Sequence, residues 1–367
     1  AFLQSRMFRE TRVGVLHYIV FLGSTLLLIG NINIVTGGLV QAVASWPLGG
    51  VLWTLAVAIQ NLIAAAVLFL GVPYFLYRRL VIRPQRLELG RTGLQVLTMI
   101  TLVVSTEWLA MAFEAAAHGD ITGALVTNAM AVPLRGALSE DANNAAFVAL
   151  WWGHVVVLAT FLLFIPTNKH FHVYTSFVNV YLRKLAPRGQ LPVVDIENEN
   201  ATFGLKTLQD LGWKDILDGF TCTECGRCQA ACPAHATGKV LNPKAFIMGI
   251  RDMAEAAEVT MNVIPNSPIV AQTYGLAGDA PASAAMAAPI VGNAIPYEAV
   301  WDCVTCGACV EACPVLIEHV DKMVGLRRNL VLEESKFPQE LNGAFRNMEG
   351  VGNPWGQPPA GRTDWTK

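Results

Sequence analysis

Outside two short runs this chain contains no cysteine, and that absence is the first constraint on its chemistry. The eight cysteines among 367 residues are Cys222, Cys225, Cys228 and Cys232, then Cys303, Cys306, Cys309 and Cys313. None is left over. A secreted disulfide framework has little reason to repeat one tight spacing, followed each time by proline (Pro233, Pro314). Charge is scarce as well: Asp, Glu, Lys and Arg make up 15% of the chain and net charge is −2. No basic surplus points to nucleic acid or another polyanion as partner. What dominates is apolar: 53% of residues are hydrophobic and mean hydropathy is +0.42. An ordinary soluble protein is less oily than that. The excess lies almost wholly before residue 170.

Each cysteine run reads C-x2-C-x2-C-x3-C-P, the pattern that binds 4Fe-4S clusters in bacterial ferredoxins. Zinc and disulfides are the competing uses of such thiols. In two-cluster proteins the fourth cysteine of each run serves the other cluster. The expected sets are therefore Cys222, Cys225, Cys228 with Cys313, and Cys303, Cys306, Cys309 with Cys232. Gly226 and Gly307 let the backbone wrap a cluster closely. Thiolate-bound clusters imply a reducing compartment, so this half is expected on the cytoplasmic side.

Four stretches, about 13–34, 49–77, 92–117 and 144–166, are long and apolar enough to span a bilayer. The segment 121–138 is shorter and broken by Asn128, Pro133 and Arg135; it reads as an interfacial or re-entrant helix. The first run is too long for a signal-peptide core and lacks a convincing cleavage site. The chain begins with Ala1, so an N-terminal piece is expected to be missing. Arg6, Arg9 and Arg12 precede the first span, Arg78, Arg79, Arg83, Arg86 and Arg91 fill the second connection, and Lys169, Arg183, Lys184 and Arg188 follow the fourth. The other connections carry only Arg135. Both ends are then expected on the inner face of a prokaryotic cytoplasmic membrane, in agreement with the compartment argued from the cysteines.

Histidine in a span is costly on a lipid-facing surface, and a functional reading is the default for one facing inward. His17 lies near the inner face in the first span, His118 at the outer end of the third, and His154 in the outer part of the fourth. His172 lies at the fourth span's inner end. Axial ligation of haem b takes two histidines from facing helices, and His17 with His172 match in depth. His154 and His172, 18 residues apart, would share a face of one continuous helix about 27 Å apart in rise. His170 then points nearly the other way and reads as an interfacial residue. His154 is a candidate for a second haem, with His118 as its partner. Glu107 and Glu114 in the third span are candidates for proton transfer to a quinone; the competing reading puts them in a water-filled vestibule. Gln60 and Asn61 read as helix-to-helix glue.

The sequence thus predicts an all-α protein: a transmembrane four-helix haem-b bundle over 1–182, a linker over 183–204, and a two-[4Fe-4S] ferredoxin-like domain over 205–335. A C-terminal extension covers 336–367. A helix is expected over 204–219, an amphipathic helix over 243–260, and a long Ala/Pro/Gly-rich loop over 265–296. That loop would cover the clusters or serve as a docking surface. His235 and His319 read as structural or solvent-facing.

HVVVLATFLLFIPTNKHFH at 154–172, with His17 followed by Gly23, resembles the haem-b gamma subunit of respiratory nitrate reductase. The resemblance implies four histidines holding two haems. His17, His154 and His172 match three of them, and Leu27 stands where the fourth would be. WDCVTCGACVEACPVLIEHVDKMVGLRRNLV at 301–331 resembles the iron-sulfur portion of heterodisulfide reductase. The order of the two parts is similar to membrane-bound iron-sulfur oxidoreductases that pair with electron-transfer flavoprotein and reduce menaquinone. Such proteins normally continue into cysteine-rich CCG domains, which would begin near 352–367. The resemblance implies electrons passing from a soluble flavoprotein to menaquinone. The rivals are a heterodisulfide or thiol reductase, for which CCG cysteines are wanting, and a noncatalytic anchor-and-wire subunit.

Overall fold

The computed structural model describes residues 4–40, 51–87, 89–187, 189–195, 197–198, 202–262 and 286–366, and excludes the side chains of 27–40, 52–53 and 258–262. Most of the expected loop over 265–296 therefore lies outside the described residues. The chain divides into two compact units, 1–177 with 223–225, and 178–222 with 226–367. Among the described residues there are helices and isolated bridges but no strands.

The first unit is built from apolar helices. Helix α1 spans Thr11–Val40 and α2 spans Val51–Ala66. A π turn, Val67–Gly71, carries α2 into α3, Val72–Tyr77, and a second π turn, Arg78–Ile82, follows. Pro73, at the start of α3, cannot donate to the preceding turn, and a widened turn accommodates it. Helix α4 spans Arg91–His118, α5 Leu125–Ala137 and α6 Glu140–Phe164. Ser139 caps α6 by accepting from the Ala142 N–H at 3.2 Å, with Glu140 and Asp141 in the first turn. Both features suit the positive end of a helix.

Three segments are long and apolar enough to cross a membrane: Thr54–Ile82, Arg91–His118 and Glu140–Thr167. The described apolar part of α1, Thr11–Leu26, is shorter than a span, so the expected count of four is reached only with α1's outer residues, whose side chains are not described. Helix α5 has 13 residues and is too short to span, in keeping with the interfacial reading of 121–138. Its first turn is held by Asn61, whose Oδ1 accepts from Val126 N at 2.9 Å and Thr127 N at 3.3 Å. Ala64, Val67, Val72, Ile100, Val104 and Trp108 form the core of the unit. Close approach of α1 depends on Gly23, where a Cβ would lie 2.8 Å from a Val67 methyl.

One expectation fails here. The fourth span does not continue through His172. Helix α6 ends at Phe164, two 3-10 turns follow (Ile165–Thr167, Lys169–Phe171), and α7 begins afresh at His172, reaching Tyr181. Pro166 cannot donate within a helix. Asn168 then turns extended (φ −159°, ψ 178°), and its side chain accepts from His170 N at 2.9 Å. The shared-face argument for His154 and His172 falls with that break.

The second unit packs around α11, Pro243–Asn262, two residues longer than expected. Phe246, Ile247 and Ile250 meet Ile290, Val300, Met323 and Leu326 in its core. The helix expected over 204–219 is shorter. Asp210 Oδ2 accepts from Thr207 N at 2.8 Å, closing a 3-10 turn, and α8 starts at Trp213, running to Thr221. Helices α9 (Arg227–Ala231), α10 (Pro233–Ala236), α12 (Tyr297–Asp302), α13 (Ala308–Ala312), α14 (His319–Arg328) and α15 (Leu341–Val351) also belong to the described part of the unit.

Candidate cofactor sites

The two cysteine runs fold alike. Cys222 ends α8 and Cys303 ends α12; Cys232 and Cys313 end α9 and α13. Their ψ angles are 117°, 121°, 119° and 122°. In both runs the residue before the second cysteine is left-handed (Glu224 φ 55°, Thr305 φ 52°), as is the glycine after it (Gly226 φ 69°, Gly307 φ 73°). Two left-handed residues around one cysteine curl the backbone tightly, and glycine does so without Cβ strain. N–H groups point at sulfur in the second run: Thr305 N lies 3.4 Å from Cys303 Sγ, and Ile317 N lies 3.4 Å from Cys313 Sγ.

Cys303, Cys306, Cys309 and Cys232 line one cavity with Phe246, His319 and Met323. Three consecutive thiols of one run thus meet the last thiol of the other. Burial pushes the Cys309 thiol up to about 12, with the Cys303 thiol adding to it. Burial also raises Cys303, while the Thr305 N–H and Arg327 pull it down. Among the described residues no three His, Cys, Asp or Glu side chains converge on a single-ion site. Thiols spread around a cavity fit a polynuclear cluster, with its four corner irons, better than one zinc ion. Cys222, Cys228 and Cys313 are buried and Cys225 is half-buried.

In the first unit, the rings of His17 and His172 come close, with centroids 6.4 Å apart and planes tilted by 37°. Two imidazoles ligating one iron from opposite sides through Nε2, at about 2 Å each, set their centroids roughly 6 Å apart. The polarity of both rings also fits. His172 Nδ1 lies 2.8 Å from the Lys169 carbonyl and His17 Nδ1 lies 3.2 Å from Gln4 Oε1. An Nδ1–H donated to oxygen leaves the lone pair on Nε2, which is the form a metal binds. His170 does not point away. The break in the helix sets its ring 5.5 Å from that of His172 and 5.4 Å from that of Phe161. Burial above all pushes His170 down to about 3.

His154 and His118 are not brought together. His154 Nδ1 lies 3.0 Å from Thr106 Oγ1, which itself donates to the Leu102 carbonyl at 2.7 Å. With its proton so used, Thr106 accepts from Nδ1–H, and the lone pair sits on His154 Nε2. That atom is buried with no partner among the described residues, a state that fits a missing ligand. His118 lies about 18 Å further along α4, edge-on to Phe147. This rise along α4 keeps the two histidines apart. Glu107 Oε1 accepts from Gln60 Nε2 at 2.8 Å, and Glu107 Oε2 is buried without a partner among the described residues. Glu114 has His118 one turn on along α4. Sequence reasoning missed Thr106, Gln4 and the Lys169 carbonyl, since nothing in their residue types marks them.

Residues 221–317 match the 4Fe-4S dicluster domain family. The chain is similar to an EtfAB:quinone oxidoreductase of Syntrophomonas wolfei, 38% identical over 63% of this chain and 32% of that protein. It is also similar to a probable iron-sulfur-binding oxidoreductase, FadF, of Bacillus subtilis, 30% identical over 99% of this chain and 53% of the relative. A probable membrane-anchored ferredoxin of Chromohalobacter salexigens is 36% identical over 48% of this chain and 26% of the relative. The chain therefore spans about half the length of these relatives, or less. No solved structure matches.

Proposed function

We propose that this chain carries electrons between a soluble flavoprotein, electron-transfer flavoprotein in the first place, and menaquinone in the membrane. Cys222, Cys225, Cys228 and Cys313 would hold one 4Fe-4S cluster, Cys303, Cys306, Cys309 and Cys232 the other, and His17 with His172 a haem b. When bound, these groups supply one-electron carriage, which lets two-electron flavin and two-electron quinone exchange electrons singly. The protein's own contribution is to hold and shield them. The Lys169 carbonyl and Gln4 orient the imidazoles, glycine turns wrap the cluster sites, and buried Phe246 and Met323 keep water from the second one. Glu107, hydrogen-bonded to Gln60 within an apolar bundle, is proposed to hold a proton for the quinone, and Glu114 to exchange one with water. His154 Nε2 is the proposed ligand position for a second haem.

The reading rests above all on the approach of His17 and His172, because a helix bundle has no structural need for two adjacent imidazoles. The name of the Syntrophomonas relative supports the choice of donor and acceptor class. The test is a purified sample mixed with reduced electron-transfer flavoprotein and a menaquinone analogue. Quinone reduction without other subunits is expected and would remove the anchor-and-wire alternative. His17→Ala is expected to abolish the bis-histidine absorption bands while leaving cluster iron and sulfide unchanged. Unaltered bands would sink the haem assignment.

A further inference from the structure

Helix α12 ends directly at Cys303, so its last carbonyls, the unpaired acceptors of any helix end, surround the base of that residue. Arg327, on α14, fills them. Its Nε and Nη2 donate to the Val300 carbonyl at 3.0 and 2.7 Å, and Nη2 also donates to the carbonyls of Trp301 and Cys303. The guanidinium lies over the Trp301 indole, 5.5 Å from the ring centroid. A residue 24 positions further along the chain is thus fixed along its edges and on one face at one thiol's backbone. The need for a C-cap does not explain this choice. Lysine or water would satisfy the carbonyls, whereas arginine brings a charge that is never lost and a rigid fork. The guanidinium is therefore anchored at the backbone of a residue that lines the four-thiol cavity.

We propose that Arg327 sets the reduction potential of the site formed by Cys303, Cys306, Cys309 and Cys232, its fixed positive charge favouring the reduced form of an iron-sulfur cluster held there. Adding one electron makes a thiolate-bound cluster one unit more negative, and a nearby cation stabilises that product more than its precursor. Charge, sulfur hydrogen bonding and burial are the known levers on such potentials. Arg327 is a positioning and tuning residue, not one that touches a substrate. The inference rests on the cluster reading above, and the experiment separates the two.

Iron and sulfide are first counted in the unmodified protein; their absence defeats the cluster reading itself. Dithionite titrations followed by electron paramagnetic resonance are then run on the unmodified protein and on Arg327→Gln, Arg327→Met and Arg327→Lys. In the neutral variants one of the two cluster signals is expected to titrate at a more negative potential and the other to stay. At the native midpoint, the reduced fraction of the moved signal should fall about tenfold relative to the oxidised, equivalent to about 59 mV for one electron. Arg327→Lys should stay close to native. If only the charged variant assembles its clusters, at the native potential, the charge is still the operative feature. Full clusters with unmoved potentials in the neutral variants would overturn the proposal. So would a lysine variant shifted as far as glutamine, or loss of clusters in all three.

Discussion

Lys322 and Asp218 are both buried, 1% and 0% exposed at the side chain, and meet at 2.6 Å, with Asp215 2.9 Å from the same ammonium and Lys214 2.7 Å from Asp218. Burial by itself would raise the Asp218 carboxyl, yet Lys322 and Lys214 hold it below its usual range. Burial by itself would lower Lys322, yet the two aspartates raise it. The pair is therefore ionised and ties α8, ahead of the first cysteine run, to α14, beyond the second. Removing one partner strands a buried charge, at a cost of about 3–5 kcal/mol. Lys322→Met should lose that much, and Lys322→Met with Asp218→Leu should lose less, measured by hydrogen exchange in α14. A larger loss in the double variant would refute the pairing. Acid acts on the same place in two stages. Burial and Lys322 push His319 down to about 4, so below its ordinary value near 6.5 the unfolded chain binds a proton that the folded one refuses. Stability is full above that value and falls by about 3 kcal/mol as pH drops to 4. Asp218 contributes above its ordinary carboxylate value, and its share is lost only at more acid pH, towards its lowered folded value. Replacing His319 with Gln should flatten the first stage and leave the second.

The break between α6 and α7 decides whether the candidate haem pair exists. A helix continuing through Pro166 would keep a regular turn at 165–171 and carry His172 elsewhere on its wheel. With the break, α7 restarts at His172, whose ring lies 6.4 Å from that of His17. Pro166→Ala combined with Asn168→Leu removes both the missing donor and the cap, and should let α6 run on. The expected result is loss of the bis-histidine spectrum with both clusters retained; a native spectrum would show that the break is set by packing alone. Asn61 makes a parallel case at α5. Its replacement by Leu leaves the N–H groups of Val126 and Thr127 without their acceptor, which should cost about 1–3 kcal/mol and expose α5 to protease first. These elements also mark how far the sequence could be read. The cysteine spacing carries its own geometry, because each motif is local and both glycines sit where left-handed backbone is needed. His17 and His172 were legible by depth alone. Their approach was not, because a helical wheel assumes continuity and Pro166 ends it. Gln60 and Asn61 were legible as polar residues out of place, although the second serves as a helix cap. Arg327 was not legible at all: a surface-type residue whose targets lie 24 to 27 positions away leaves no periodic trace.

Taken together, the membrane-capable helices and the cysteine-bearing unit require the chain to be oriented. Basic residues cluster on one side: Arg78 and Arg86 flank Glu10 at 3.7 and 2.5 Å, and Lys169 follows the last long apolar helix. On the proposed function, such a collar is expected at the inner face of the membrane, where thiols would also stay reduced. The connection after α4 carries a single basic residue, Arg135, paired with Asp120. Sealed vesicles of opposite sidedness provide the test. A membrane-impermeant protease should cut within residues 183–367 only in inside-out vesicles. Cys306, the one exposed cysteine, should become reactive to an impermeant thiol reagent only in that orientation, after chelation of iron. Cleavage from the outer face would invert the chain, and with it the access of any cytoplasmic flavoprotein to the cysteine-bearing unit. That single outcome would remove the proposed donor while leaving every intramolecular contact intact.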